Sequence, residues 1–206
     1  AALGLQSLPQ LAGVTVLNAP GNALCELDMR SLAGCTKSLR TLNLSQNRLA
    51  SLPDAIASLG GMTELLVGHN RLTGLPASLA RLRLTTLHAG GNQLAAVPAV
   101  VLDIATLEWL HVGGNGSGEV AATISRLDRL QSLLLSDNAI GSLDVLLPPS
   151  LIELDVSHNR ISMLPPSFVL PNGAPCWGTK LERLPPAEGS KSLLGLLRGS
   201  GRKEGG

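Results

Sequence analysis

The chain has 206 residues, of which 44% are hydrophobic and 15% are charged, and its net charge at pH 7 is +1. This composition excludes an intrinsically disordered chain, and the balanced charge gives no general attraction to nucleic acid or anionic membranes. With two Trp, one Phe and no Tyr, the core is expected to be aliphatic. No apolar run is long enough to predict a membrane-spanning helix.

The three cysteines, Cys25, Cys35 and Cys176, match no zinc-ligand spacing. We favour free thiols in a reducing compartment, and the alternative is a Cys25–Cys35 pair. The first twenty residues have neither a basic start nor a clean apolar run, so no secretory signal is predicted. The first residue is not Met, which is compatible with a fragment or a processed chain. We predict a cytoplasmic location, with the nucleus as the alternative.

One frame recurs seven times along the chain. Residues 39–49 fit L-x-x-L-x-L-x-x-N-x-L at every fixed position. The other frames begin at residues 14, 62, 84, 107, 130 and 151, and their asparagines at position 9 are spaced at a near-constant period. The pattern resembles the leucine-rich repeat. The seven asparagines are Asn22, Asn47, Asn70, Asn92, Asn115, Asn138 and Asn159.

A second half-motif follows four of these asparagines. It has the form L-P-x-x-[IL] or a close variant and begins at Leu52, Leu75, Val97 and Leu164. The pair Leu8–Pro9 is a partial version. This form is similar to the short repeats of intracellular scaffold and signalling proteins. The proline fixes φ and is expected to start the convex segment of each repeat.

The resemblance implies an α/β fold, a leucine-rich-repeat solenoid with a parallel concave β-sheet of about seven strands and irregular or 3-10 convex turns. Positions 1, 4 and 6 of each frame should point inward, where stacked repeats bury them. The amides at position 9 are short enough to bond the backbone of neighbouring turns, so we expect a structural asparagine ladder.

Four segments are predicted: residues 1–13 as an N-terminal flank or partial repeat, 14–164 as the solenoid, 165–198 as an irregular C-terminal flank with a cap helix, and 199–206 as a flexible tail. Ser190 is the expected N-cap of the cap helix, and Gly199 the expected residue after its end. The fifth repeat has Ser117 at position 11 in a glycine-rich stretch, which predicts a flexible or tight turn. The sixth repeat lacks the Leu-Pro step.

Positions 3, 5, 7, 8 and 10 are expected to face the concave side. All four histidines and Trp109 occupy these positions, and a tryptophan beside histidines and leucines has the composition of a binding hot spot. The candidate partner-binding residues are Trp109, His88, His111, Glu64, Leu66, His69, Arg71, Leu134, Asp137, Glu153, Asp155 and His158.

Less specific interpretations exist for these residues. His69 and His158 precede the repeat asparagine and could be merely solvated, while Trp109, His88 and His111 could pack against the glycine-rich turn. A metal site at His88 and His111 lacks a convincing third ligand, so no metal is predicted.

The sequence contains no Walker loop, nucleophile elbow or metalloprotease motif, and an open concave sheet excludes water poorly. We therefore expect no enzyme activity and no cofactor. The leading hypothesis is a monomeric scaffold or adaptor in signal transduction, which binds another protein on the concave face and does not act at a membrane.

A second resemblance supports an alternative function. Residues 180–184 and 191–198, with the tail, are similar to the end of the repeat block in proteins that also carry a B3/B4 domain like that of the phenylalanyl-tRNA synthetase β chain. This implies an RNA- or translation-associated module, although the arginines of the face are scattered and form no basic stripe. A third hypothesis is the regulatory part of a truncated signalling protein, such as a kinase or a ligase.

Overall fold

The structure, a computed structural model, describes residues 6–162 and the backbone of residues 176–177. Short parallel strands form one sheet in sequence order, and 3-10 helices lie between them. The strands are β1 (Val16–Asn18), β2 (Thr41–Asn43), β3 (Glu64–Leu66), β4 (Thr86–His88), β5 (Trp109–His111), β6 (Ser132–Leu134), β7 (Glu153–Asp155) and β8 (Cys176–Trp177). The 3-10 helices are η1 (Met29–Leu32), η2 (Asp54–Ser58), η3 (Ala77–Arg81), η4 (Ala99–Asp103) and η5 (Ala122–Arg126).

The frame sets the register of the first seven strands. Each covers positions 3 to 5 of its repeat and pairs position for position with the next strand, so Leu17 lies beside Leu42 and Leu42 beside Leu65. Inward residues such as Leu39, Leu42 and Leu44 are fully buried in one continuous aliphatic core. The predicted solenoid, with its parallel sheet and 3-10 turns, is confirmed.

The position-9 asparagines link each repeat to the one before it. Asn70 is typical: its Nδ2 donates to the carbonyl oxygens of Leu44, Val67 and Gly68, at 3.0, 3.0 and 3.3 Å. Its Oδ1 accepts from the backbone N–H of Leu49 at 3.0 Å. The side chain thus satisfies backbone groups of its own and of the preceding repeat in a buried place, where an unpaired polar group would be destabilising.

Proline begins the convex segments as the half-motif predicts. Pro53, Pro76 and Pro98 have extended backbones and immediately precede η2, η3 and η4. The sixth repeat, which lacks the Leu-Pro step, has no 3-10 helix between residues 135 and 152.

The glycine-rich turn of the fifth repeat is tight. Gly114 and Gly116 have φ of 66° and 80°. The Oδ1 of Asn138 accepts from the backbone N–H groups of both Asn115 and Ser117, at 3.1 and 2.9 Å.

Residues before β1 extend the solenoid. Ala12 forms a parallel bridge with Gly34, and the Ser31 hydroxyl donates to the carbonyl oxygen of Leu8 at 3.0 Å. Leu8 and Leu11 pack against the core. These contacts place residues 8–12 against the convex segment of the first full repeat.

The sheet also extends further than the sequence predicted. β8 pairs with β7 in parallel, with Leu154 beside Cys176, inside the segment 165–198 that was expected to be irregular. The predicted cap helix, between Ser190 and Gly199, and the predicted tail at 199–206 lie outside the described residues.

The thiols of Cys25 and Cys35 are both free, the first exposed and the second buried, so the alternative Cys25–Cys35 pair does not form. Within the described part of the chain, no helix has the length and apolar character needed to cross a membrane.

Candidate functional site

Four aromatic side chains meet on the concave face. Trp109 and His111, at positions 3 and 5 of the fifth repeat, are the first and last residues of β5. His88, at position 5 of the fourth repeat, ends β4 and lies beside His111 in the sheet register. His69 follows β3 at position 8. We call His69, His88, Trp109 and His111 the aromatic cluster. The alternation of side chains along a strand directs positions 3 and 5 away from the core while Leu110 between them is buried.

The rings of the aromatic cluster contact one another directly. The imidazoles of His88 and His111 are stacked, with centroids 4.3 Å apart and planes inclined by 10°. The Trp109 indole meets both edge-on, with its centroid 6.0 Å from that of His88 and 5.9 Å from that of His111. His69 meets His88 edge-on at 6.4 Å. These geometries are favourable for aromatic pairs, so the cluster is a packed unit rather than a set of separately solvated side chains.

Glycines at position 7 make room for the two stacked rings. A Cβ on Gly68 would lie 2.6 Å from Cε1 of His88, and a Cβ on Gly90 would lie 2.9 Å from Nε2 of His111. The His111 ring also lies over Gly113, where a Cβ would be 3.1 Å from Nε2. We call Gly68, Gly90 and Gly113 the glycine floor. A larger residue at Gly68 or Gly90 would displace a ring, whereas an added Cβ at Gly113 would first meet the Ser136 carbonyl oxygen, at 2.8 Å.

Position 8 has a left-handed backbone in all seven repeats, with φ between 53° and 66°. His69 adopts this conformation (φ 54°), and its Nδ1 would be 2.5 Å from a Cβ built on Gly91, the equivalent residue of the next repeat. The residues at position 8 are Gly21, Gln46, His69, Gly91, Gly114, Asp137 and His158.

The cluster favours uncharged imidazoles. Burial, together with the nearby imidazoles of His111 and His69, lowers the pKa of His88 to about 4. Burial and His69 also lower the pKa of His111, against the opposing effect of the Asp155 carboxylate. The His88 ring is therefore neutral at pH 7. Its Nε2 is buried and has no hydrogen-bond partner among the described residues.

Leucines and a carboxylate border the cluster on the β3 side and on the β6 side. Leu66 and Leu134 occupy position 5 in the repeats on either side of the histidine pair, and both are half-buried. Glu64, at position 3 of the third repeat and the first residue of β3, accepts a hydrogen bond from the Thr41 hydroxyl at 3.0 Å. The centre of the concave face is thus aromatic and aliphatic.

Two oriented carboxylates follow on β7. Glu153 accepts a 2.6 Å hydrogen bond from the Ser132 hydroxyl, and Asp155 accepts from the backbone N–H of Ser157 at 2.9 Å. Both are half-buried. Among residues 6–162 the ion pair that forms is Arg30 with Asp28, so neither of these carboxylates is paired with a base there.

The remaining candidates are less closely engaged. Arg71, Asp137 and His158 are exposed, and within the described residues His158 makes no ring contact. The same part of the chain contains no group of three or more histidine, cysteine or acidic side chains that could hold a metal ion. What the arrangement offers chemically is a non-covalent contact surface.

Sequence reasoning placed the four aromatic residues on one face but missed the glycine floor. A signal was present, because position 7 is glycine in the three repeats around the cluster, whereas it is serine at Ser45, Ser136 and Ser157. The left-handed backbone at position 8 was also missed, although three of its seven residues are glycine.

Two sequence models of repeat families match the chain. Residues 37–94 match a family described as Leucine rich repeat, and residues 150–170 match a second family with the same description. No curated protein sequence matches the chain.

Solved structures with a similar fold include a leucine-rich-repeat protein of Leptospira interrogans. Its TM-score is 0.66 at 26% identity, and the match covers 77% of this chain and 43% of that one. Another is the functional domain of InlJ from Listeria monocytogenes, which includes a cysteine ladder. Its TM-score is 0.66 at 24% identity, and the match covers 83% of this chain and 36% of that one. This chain therefore spans less than half the length of each of these two solved proteins. At 24% identity, the match to the InlJ domain shows similarity of fold alone.

Proposed function

Since this chain is a leucine-rich-repeat protein, we propose that it is a non-catalytic interaction module that binds a partner protein on its concave face. The observation that carries the proposal is the aromatic cluster, where Trp109 and two stacked imidazoles lie half-buried on an open sheet without a covering element among the described residues. Half-buried tryptophan surrounded by apolar groups is typical of the energetic centre of a protein interface.

The size of the face also supports a protein partner. Six spacings separate β1 from β7, and at about 4.8 Å for each spacing the face is about 29 Å long. This length can accommodate an interface of standard size, which buries about 800 Å² on each partner.

The charge of the face favours protein over nucleic acid. Glu64, Glu153 and Asp155 point to the concave side, and His88 contributes no positive charge at pH 7 because its pKa is about 4. A nucleic-acid surface needs a continuous row of basic side chains facing the phosphates. The binding of a protein partner should accordingly depend only weakly on salt.

The test begins with affinity capture from an extract of the source organism, followed by binding measurements with the purified partner. Trp109→Ala should weaken binding by about thirty-fold, equivalent to about 2 kcal/mol, because it removes the centre of the contact. The matched control is Asp103→Ala/Arg126→Ala, which changes exposed convex residues of η4 and η5 and should leave Kd unchanged.

A second variant separates binding from folding. Leu110→Ala changes the buried neighbour of Trp109 and should lower the free energy of unfolding by about 2–5 kcal/mol. Trp109→Ala should change it much less. If the convex variant lost binding while a folded Trp109→Ala protein retained it, the concave assignment would be wrong.

A further inference from the structure

We propose that the partner segment docking on the concave face inserts a lysine or arginine side chain over β6, between the rings of β5 and the carboxylates of β7. This rests on the proposed function and specifies the chemistry of the partner. The surface concerned, here called the β6 slot, is bordered by Trp109 and His111 on one side and by Glu153 and Asp155 on the other.

The β6 slot results from side-chain size. Ser132 and Leu134 are the concave residues of β6. Ser132 is 7% exposed, and the Glu153 carboxylate lies against its hydroxyl at 2.6 Å, so the open part of the β6 slot is over the half-buried Leu134. Ser132 and Leu134 are shorter than the tryptophan and histidine before them on β5. Because β5 and β7 are two strand spacings apart, the two walls are about 10 Å apart at the backbone. That width can admit one long side chain lying on Leu134.

The two walls match a basic side chain. Trp109 and His111 present π-systems, and a cation within about 6 Å of an indole face is attracted to it. Opposite them, Glu153 and Asp155 are held by hydrogen bonds to Ser132 and Ser157. The aliphatic stem of lysine or arginine would cover Leu134 while its charged head reaches the carboxylates.

The local charges support the same occupant. Glu153 and Asp155 form no ion pair among residues 6–162, and the Asp155 carboxylate acts electrostatically on His111 across the β6 slot. Asp137 and Arg160, in the turns that follow β6 and β7, are both exposed and opposite in sign. An acidic or phosphorylated partner segment would therefore meet repulsion at the β6 slot, whereas a basic one would meet two carboxylates that have no ion-pair partner among residues 6–162.

The test uses a displayed library of random dodecapeptides, selected for binding to the full chain. Peptides that bind should be enriched in lysine or arginine relative to the unselected library. Glu153→Gln/Asp155→Asn should weaken their binding by about ten-fold, because it removes both charges. The folded state should persist: glutamine can still accept the Ser132 hydrogen bond, and Asn43 already makes the turn bond that Asp155 makes, to Ser45.

The matched control is Asp103→Asn/Asp128→Asn, which makes the same change of net charge at exposed residues of the convex side. It should alter Kd by less than about two-fold, because exposed charges far from the contact are screened. Replacing the enriched basic residue of a selected peptide with glutamine should weaken binding to the parent chain but not to the Glu153→Gln/Asp155→Asn variant.

The outcomes distinguish this inference from the function on which it rests. Peptides whose binding requires Trp109 but shows no basic enrichment and no effect of Glu153→Gln/Asp155→Asn would overturn the inference and leave the proposed function standing. Basic peptides that respond equally to the convex control would show general charge attraction and also overturn it. Selected peptides that bind Trp109→Ala as well as the parent chain would contradict both.

Discussion

The glycine floor predicts that Gly68→Ala changes the free energy of unfolding in a direction that depends on whether the His88 ring is present. Gly68→Ala places a methyl group 2.6 Å from Cε1 and 2.9 Å from Nε2 of His88, where carbon contacts are normally 3.5–4.0 Å. The imidazole would have to move by about 1 Å. It cannot do so without disturbing its stack on His111, whose centroid is 4.3 Å away. Overpacking of this kind lowers the free energy of unfolding by about 1–3 kcal/mol.

In a His88→Ala background the same substitution should no longer destabilise the protein. Gly68 does not have a positive φ, so alanine fits its backbone, and replacing glycine stabilises a compatible site by up to about 1 kcal/mol through the unfolded chain. The cycle of the two substitutions should therefore show a coupling of about 1–3 kcal/mol.

Urea denaturation followed by circular dichroism measures all four corners of this cycle. Gly74→Ala is the matched control, because a Cβ there meets no atom within 4 Å, and its effect should be small and equal in both backgrounds. If Gly68→Ala had the same effect with and without the His88 ring, the glycine floor would not support the ring and the reasoning would be refuted.

Three further predictions concern stability and are checked by the same denaturation assay. Asn70→Ala should lower the free energy of unfolding by about 3 kcal/mol, because it leaves buried backbone groups such as the Leu49 N–H unpaired; a value near zero would contradict the ladder. The folded-state pKa of His88, about 4, is below its unfolded value of about 6.5. The neutral ring's contribution is thus complete above pH 6.5 and is lost toward pH 4. For a half-exposed ring the loss should be about 1 kcal/mol at pH 5. It should be smaller in His88→Leu, where His111 is left as the cluster histidine with a lowered pKa. Ser117→Ala should stabilise the protein by about 1 kcal/mol, because the buried Ser117 hydroxyl has no hydrogen-bond partner among the described residues. Ser31→Ala should destabilise it, because this substitution removes a hydrogen bond to the Leu8 carbonyl oxygen. If both substitutions changed the free energy of unfolding in the same direction, the contrast would be refuted.

The solenoid was predictable because its backbone geometry follows from a period. Once Leu39, Leu42 and Leu44 are placed inward, Thr41 and Asn43 must point outward, and stacking repeats this in every frame. The columns of the concave face, and with them Trp109 beside His88 and His111, were therefore accessible from spacing alone.

The ring geometry was not predictable from the same information. Spacing brings His88 and His111 to neighbouring strands, but their parallel stacking depends on side-chain torsions that the empty space above Gly68 and Gly90 permits. The hydrogen bond that orients Glu153 likewise depends on the residue beside it on the neighbouring strand β6, in this case Ser132.

β8 was missed for a different reason. Cys176 and Trp177 follow several prolines and lie in no leucine frame, so nothing in the periodicity predicts a strand there. The strand nevertheless pairs with β7, because an exposed parallel edge accepts any extended segment that the chain can bring to it.

The asparagine ladder also determines where the chain can change its length. The bond from Leu24 N–H to Asn47 spans 23 residues and that from Ile140 N–H to Asn159 spans 19, yet their lengths are 3.1 and 3.0 Å. The convex arcs absorb this difference of four residues while the inner edge stays uniform. An insertion in an arc would thus be accommodated, whereas a single residue added between Leu44 and Asn47 would move the amide away from its partners. Natural length variation among such proteins, and any graft of a new loop, belongs on the outer side of the curve.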